Sequence, residues 1–243
     1  MQKLSIVIPA YNEEAFIGTL LTTILAVDTE RLGFEKEIIV VNDGSRDGTA
    51  ECVRRFAGVT LIEQANQGKG AAVQRGIREA TGEFVLVQDA DLEYDPADYL
   101  PMLAAVRAGA ECVYGSRTLG QLRSRGWTVT PGRHPEQGVG PWAAGWILSA
   151  WTLVLYGVWI SDTLTAYKLY PRRVFEWMRI RTHGFETDNE ITAKLVRAGI
   201  RIREVAIGYR PRSVAEGKKI KASDGFKAVW TLLRFRVESV KKR

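Results

Sequence analysis

The densest chemistry in this chain lies between residues 83 and 95. There an apolar run, Phe84-Val85-Leu86-Val87, leads into Gln88-Asp89-Ala90-Asp91-Leu92-Glu93. The apolar run reads as a buried strand. Continued in extended form past its end, it places Asp89, Asp91 and Glu93 on one side. Carboxylates crowded in that way repel one another unless a cation neutralises them. Hard divalent cations such as Mg²⁺ take carboxylate oxygens together with substrate phosphates. The pattern therefore points to a metal holding a diphosphate at the C-terminal edge of a strand. The competing reading is a solvated acidic loop that caps a helix starting near Pro96.

The elements needed to place this motif are legible on either side of it. Residues 4–9, 37–41, 60–63 and 112–114 are short apolar runs, each followed by turn residues or a helical period. Ile17, Leu20, Leu21, Ile24 and Leu25 recur at helical spacing, as do Leu100, Leu103, Ala104 and Val106. Strand, helix and strand alternate at the length of a βαβ unit, which predicts a doubly wound, mostly parallel sheet covered on both faces. Ligands in such sheets bind outside the carboxyl ends of the strands. Tyr11–Glu13, Asp43, Gly68-Lys69, Asp89–Asp91 and Ser116-Arg117 all fall at that edge. Asn66-Gln67-Gly68-Lys69-Gly70 opens a helix with glycines, free N–H groups and one cation. It is a weak anion motif that is also compatible with a simple loop-to-helix turn.

The second half is less regular. Residues 118–141 are polar, glycine-rich and basic, with Arg123, Arg125, Arg133 and His134, and read as a long loop. His134 is a candidate base, although a lone loop histidine is commonly incidental. From 137 to 161 there is no charged residue, and Trp142, Trp146, Trp151 and Trp159 punctuate an apolar run. Three readings stay open for 142–160: a buried core helix, a membrane span, or a helix lying at a bilayer interface, which fits the tryptophans best. Glu186, Asp188 and Glu190 open a further helix, either as charge complementing its dipole or as groups orienting Lys168 or an acceptor. Residues 221–243 read as a basic amphipathic helix, suited to anionic lipid or to docking on the domain itself.

Composition sets the outer limits. The chain has 243 residues, 46% of them hydrophobic, with net charge +6. Its pI is about 9.4 and its mean hydropathy −0.12. This suits one large α/β unit with an appendage. The late basic excess suggests anionic partners, and with no nucleic-acid-binding motif in view, nucleic acid is excluded as the partner. The cysteines, Cys52 and Cys112, lack metal-ligand spacing, which predicts a reduced compartment. The chain enters a strand at residue 4, which predicts no leader.

Pro9-Ala10-Tyr11-Asn12-Glu13, Asn42-Asp43-Gly44-Ser45, Asn66-Gln67-Gly68-Lys69-Gly70, Gln88-Asp89-Ala90-Asp91-Leu92-Glu93 and Gly115-Ser116-Arg117 stand in the order found in family 2 glycosyltransferases of GT-A fold. Asp162-Thr163-Leu164-Thr165-Ala166-Tyr167-Lys168 and the stretch from Arg212 through Glu216-Gly217-Lys218-Lys219-Ile220 resemble the dolichyl- or polyprenyl-phosphate mannosyl/glucosyl transferase branch. The resemblance implies a GT-A (Rossmann-like) domain over 1–220, with 118–141 as acceptor loop and interfacial helices. It implies inverting transfer of a hexose from GDP-mannose, UDP-glucose or UDP-N-acetylglucosamine to a polyprenyl or dolichyl phosphate. The site would be peripheral, at the cytoplasmic face of an anionic membrane. By that analogy Pro9, Tyr11, Glu13, Asp43, Lys69, Asp89 and Ala90 bind the nucleotide sugar. Asp89, Asp91 and Glu93 hold Mg²⁺ or Mn²⁺. Arg117, Arg133, Arg212 and Lys218 meet the acceptor phosphate, and Asp91, Arg117 and Arg212 form the catalytic set. Glu93 stands where the family often has glutamine.

An ionised acceptor phosphate needs arginines against repulsion, not a strong base. A family 2 transferase acting on a saccharide or protein hydroxyl would need one, with Asp188 or Glu190 as candidates. A non-catalytic nucleotide-sugar-binding membrane adaptor is the remaining alternative.

Overall fold

The computed structural model describes residues 1–211 and 222–238. The chain alternates as expected through its first half: β1 (Gln2–Ala10), α1 (Glu14–Ala26), β2 (Phe34–Asp43), α2 (Thr49–Arg54), β3 (Val59–Gln64), α3 (Lys69–Glu79), β4 (Phe84–Val87), α4 (Tyr99–Arg107) and β5 (Cys112–Ser116). It continues through α5 (Arg117–Arg125), α6 (Val139–Tyr156), β6 (Lys168–Pro171), α7 (Val174–Trp177), α8 (Thr187–Arg197), β7 (Ile202–Ala206) and α9 (Ala222–Val237).

Among the described residues the strands form one seven-stranded sheet in the order β3-β2-β1-β4-β6-β5-β7. All neighbours pair in parallel except β6, which runs antiparallel to both β4 and β5. From β1 the chain steps outward to β2 and β3, then returns to place β4 on the other side of β1. The loops leaving β1 and β4 therefore diverge and open a crevice at their carboxyl ends.

Alternation along the strands divides the core between the two faces. Leu4, Ile6 and Ile8 of β1 pack with Ile17, Leu20 and Leu21 of α1 and with Tyr99, Met102 and Leu103 of α4. Val7, Ile39, Val41, Val85 and Val87 face the other way, onto Ala72, Val73 and Ile77 of α3 and Ile191 and Leu195 of α8. A third cluster joins Leu148 of α6, Ala193 of α8 and Ala228, Leu232 and Phe235 of α9. The long apolar helix thus rests on other helices, not on the sheet.

Two expectations are corrected. The first is that the chain stays extended past its Phe84–Val87 strand, with Asp89, Asp91 and Glu93 on one side. β4 ends at Val87, and Asp89 to Glu93 lie in a turn that places Leu92 at φ 59°. The second is that residues 118–141 are all loop. Residues up to Arg125 form α5, because the Ser116 side chain accepts the Leu119 N–H as an N-cap. Lys168–Pro171, to which the sequence reading assigned no element, form β6. Its residues pair on both sides and are buried, so the sheet selects a strand from four residues too few to show a period.

α5 is held by one close approach. A Cβ added to Gly120 would sit 1.9 Å from the Ile207 carbonyl oxygen. A backbone oxygen cannot rotate away, so Gly120→Ala is expected to destabilise the protein by about 2–3 kcal/mol. A urea denaturation midpoint unchanged from wild type would contradict this packing.

Candidate active site

The site is built from four loops laced together by side chains. At the end of β1, Asn12 turns through φ 52°, donates its backbone N–H to Ser45 Oγ and accepts the Arg46 N–H on Oδ1. Glu13 is buried and donates its N–H to Thr49 Oγ1, while Glu14 accepts the Gly48 N–H. The loops after β1 and β2 are thus one unit. Pro9 is half-buried at its base and Tyr11 is 36% exposed at its rim.

Asp43, at the end of β2, does not reach out as a free carboxylate. It accepts from Gln64 Nε2 and the Gln67 N–H on one oxygen and from the Gly68 N–H on the other. At 3% exposure these bonds satisfy it. The same bonds anchor the loop that presents Lys69. The N-terminus of α3 is also taken: the Gly70 and Ala71 N–H groups both donate to the His183 carbonyl. A Cβ on Gly70 would meet Thr187 Oγ1 at 2.1 Å and the His183 carbonyl carbon at 2.6 Å. What approaches the glycines closely is the chain's own 183–187 segment, so the free-amide anion site expected there is absent.

Lys69 Nζ lies 2.6 Å from Asp89 Oδ1 and 2.8 Å from Oδ2, with the Phe185 ring centroid at 5.5 Å. Burial would lower the lysine pKa, but Asp89 and then Asp188 outweigh it and push it above its ordinary value. Behind it, Lys168 is fully buried, donates to the Thr163 carbonyl at 3.1 Å and stands 3.7 Å from Asp188. Here burial wins and the lysine is held below its usual range, with Asp188 and Asp162 only partly offsetting it. Of Glu186, Asp188 and Glu190, which the sequence offered as partners of Lys168, the structure brings Asp188 to it.

The acidic turn is backed by tyrosines. Gln88, fully buried, accepts the hydroxyls of Tyr99 (2.5 Å) and Tyr167 (2.6 Å). Tyr94 stacks on Tyr167 with ring centroids 4.7 Å apart. Asp91 Oδ1 accepts the Glu93 N–H, and Glu93 Oε2 accepts the Tyr209 hydroxyl at 3.1 Å. Ala90 is buried beneath the turn. Among the described residues no three carboxylate, histidine or cysteine side chains converge on one point. Glu93 is tied through Oε2 to Tyr209. Asp89 and Asp91 still suit Mg²⁺ or Mn²⁺, because such ions need only one or two carboxylates when diphosphate oxygens and waters complete the shell.

Arg117 is gripped by Asp162, Nε to Oδ2 and Nη2 to Oδ1, both at 2.7 Å. Its guanidinium lies 4.9 Å from the Tyr209 ring centroid and 6.0 Å from that of Tyr94. Asp162 takes two of its five donor hydrogens and leaves three that an anion can use. Glu204 fixes this arrangement by accepting the N–H and Oγ–H of Ser161 and the Asp162 N–H. Arg133 lies apart from the laced loops. With Gln121, Arg125, Thr128 and Thr130 it lines a cleft of about 230 Å³. His134 Nδ1 accepts the Glu136 N–H and its ring stands edge-on to Tyr209, the ring that also faces Arg117. Arg212 and Lys218 lie outside the described residues. Glu190 is removed as a base: fully buried, it accepts the Arg181 and Thr182 N–H groups and pairs with Lys194.

Residues 5–151 match the family described as glycosyl transferase family 2. A dolichyl-phosphate beta-glucosyltransferase of Trichomonas vaginalis is 31% identical over 250 residues, covering 96% of this chain and 72% of that protein. A dolichyl-phosphate hexose transferase of Haloferax volcanii is 29% identical over 214 residues, 86% of this chain and 84% of its own. The solved structure of glucosyl-3-phosphoglycerate synthase from Mycobacterium tuberculosis with Mn²⁺, UDP-glucose and phosphoglyceric acid superposes with a TM-score of 0.69 at 19% identity, over 97% of this chain and 80% of that one. That likeness establishes the GT-A-type fold.

The Glu190 contacts predict a pH dependence. Burial opposes ionisation, but the Lys194 and Thr182 hydrogen bonds overcome it and hold the carboxyl below its usual range. A depressed carboxyl stabilises the fold above its unfolded pKa of about 4.3 and loses that contribution as pH falls through the lower folded value. Glu190→Gln is expected to flatten the acid side of the stability curve. Urea midpoints between about pH 3 and 6 that fall as steeply in the variant as in wild type would contradict this.

Proposed function

We propose, from the premise that this chain belongs to glycosyl transferase family 2 and is a glycosyltransferase, that it moves a hexose from a nucleotide-diphosphate sugar to the phosphate of a polyprenyl or dolichyl lipid. The observation that carries this reading is that one turn faces two anion-binding sides. Asp89 at its start meets Lys69, and Tyr94 at its end stacks near Arg117. Two phosphate groups, one leaving and one attacking, would then be held on opposite flanks of the β1/β4 crevice. The acceptor named for the Trichomonas and Haloferax relatives, dolichyl phosphate, fits the arginine side.

The roles follow from charge and reach. Asp89 and Asp91 would hold Mg²⁺ or Mn²⁺, which when bound neutralises charge developing on the departing nucleoside diphosphate. Lys69 adds a cation on the same side. Tyr11, Pro9 and Glu13 stand at the mouth where the nucleoside would lie. Arg117, preoriented by Asp162, offers its remaining donors to the acceptor phosphate. Each charge-assisted bond is worth about 1.5–3 kcal/mol. Alignment of the acceptor oxygen with the anomeric carbon supplies the rest, and no side-chain base is required.

We infer that the lipid arrives from a membrane surface. α6 and α9 lie together, with Trp151 Nε1 donating to the Val229 carbonyl and the Tyr156 hydroxyl to that of Leu232. Only part of α6 is buried, and Ile147 and Val154 are exposed, as are Phe226, Trp230 and Val237 of α9. Apolar side chains displayed in that way, with Lys227, Arg234 and Arg236 alongside, suit the interface of an anionic bilayer at the cytoplasmic face.

Purified protein given a panel of sugar nucleotides with Mg²⁺ or Mn²⁺ is expected to form a glycosylated lipid only when polyprenyl phosphate is present, with product identified by mass. Transfer to a free sugar or peptide hydroxyl without it would overturn the acceptor assignment. The rate should rise with pH to a plateau above about pH 6, where the phosphate loses its second proton. Asp91→Ala is expected to lower kcat by a factor of about 10² or more with an unchanged circular dichroism spectrum. Turnover within a few-fold of wild type would exclude its proposed part.

A further inference from the structure

Lys69 and Asp89 are both largely covered, with side-chain exposures of 20% and 19%. One ammonium touches both carboxylate oxygens, at 2.6 and 2.8 Å. That is the edge of Asp89 a divalent cation would have to use. A lysine is suited to leave it. Its charge is compact, its stem has four rotatable carbons, and it makes no two-pronged lock on a carboxylate as arginine does. Its backbone is fixed, because the next amide, Gly70 N–H, is bonded to the His183 carbonyl at 2.7 Å. The side chain can therefore swing while α3 stays in place.

Resting on the transferase reading above, we propose that Lys69 is the resident counter-ion of the metal position. It occupies Asp89 until a divalent cation displaces it, and the displaced ammonium then serves the sugar donor's diphosphate. A cation arriving alone leaves a dication and an ammonium facing each other with no anion between them, which disfavours both. A diphosphate brings two negative charges to that gap. Cation and donor therefore load as a coupled pair. By reciprocity the donor tightens the cation as much as the cation tightens the donor.

The test is Mn²⁺ binding to the full chain, read from the electron paramagnetic resonance signal of free Mn²⁺, alone and with UDP or GDP in separate arms. Wild type is expected to bind Mn²⁺ weakly alone and about tenfold or more tightly with the diphosphate. Lys69→Met is expected to bind Mn²⁺ alone about tenfold more tightly than wild type and to gain little from either nucleotide. Adding Asp89→Asn should abolish that gain. If Lys69→Met binds Mn²⁺ alone no better than wild type while a diphosphate still tightens both, the counter-ion role is overturned and the metal-dependent transferase reading stands. If neither protein retains Mn²⁺ under any condition, the metal assignment itself falls. A measurement on folded wild type guards against an unstable variant. After reductive ¹³C-methylation, the Lys69 methyl resonance should move on titration with Mg²⁺ and UDP or GDP together. A resonance unmoved at saturation in both would also overturn the proposal.

Discussion

Charge crowded at the carboxyl edge of a parallel sheet must be neutralised, and the arrangement of this site follows from how that is done. Asp89, Lys69, Asp188 and Lys168 form an alternating series running from the crevice into the wall behind it. Each member faces a neighbour of opposite sign, so the set tolerates burial that would be prohibitive for any one group alone. The outer pair is partly open to solvent. The inner lysine is fully covered and fixed. Reactivity and stability are thereby separated along one line of side chains.

A second principle governs the other carboxylates. Asp43, Glu190, Glu204 and Asp162 each accept backbone N–H groups from loops that have no regular partners of their own. Buried amides must be satisfied, and a carboxylate can take several. These acids convert irregular connections into rigid ones, so the residues carried on them have defined positions. Arg117 illustrates the result. Its guanidinium is oriented by Asp162, Asp162 is held through Glu204, and Glu204 stands on β7, a strand of the sheet. The acceptor side of the site is thus tied to the core by a chain of charge-assisted bonds.

The helical layer formed by α6, α8 and α9 stands outside this scheme. It buries one side of α6 against Ala193, Leu232 and Phe235 and leaves the other open. A helix apolar all round, resting on other helices instead of the sheet, has two environments to satisfy, and the protein itself supplies one.

The sequence by itself determined the alternation of strands and helices, the carboxyl edge as the place of the site, and the residue types gathered there. Those are local properties: periodicity, turn chemistry and short motifs survive in any window of ten residues. The tertiary structure alone decided which charged groups face the crevice and which hold the scaffold. Asp43 and Asp89 look alike in the sequence, yet one is bonded to the Gln67 and Gly68 amides and the other to Lys69. Glu190 and Asp188 are two residues apart, yet one is closed in by the Thr182 loop and the other faces Lys168. β6 is likewise invisible in four residues and becomes a strand only because β4 and β5 leave a gap between them. The physical reason is common to all three. A partner's identity depends on contacts between segments far apart in the chain, and no local pattern encodes which distant group arrives.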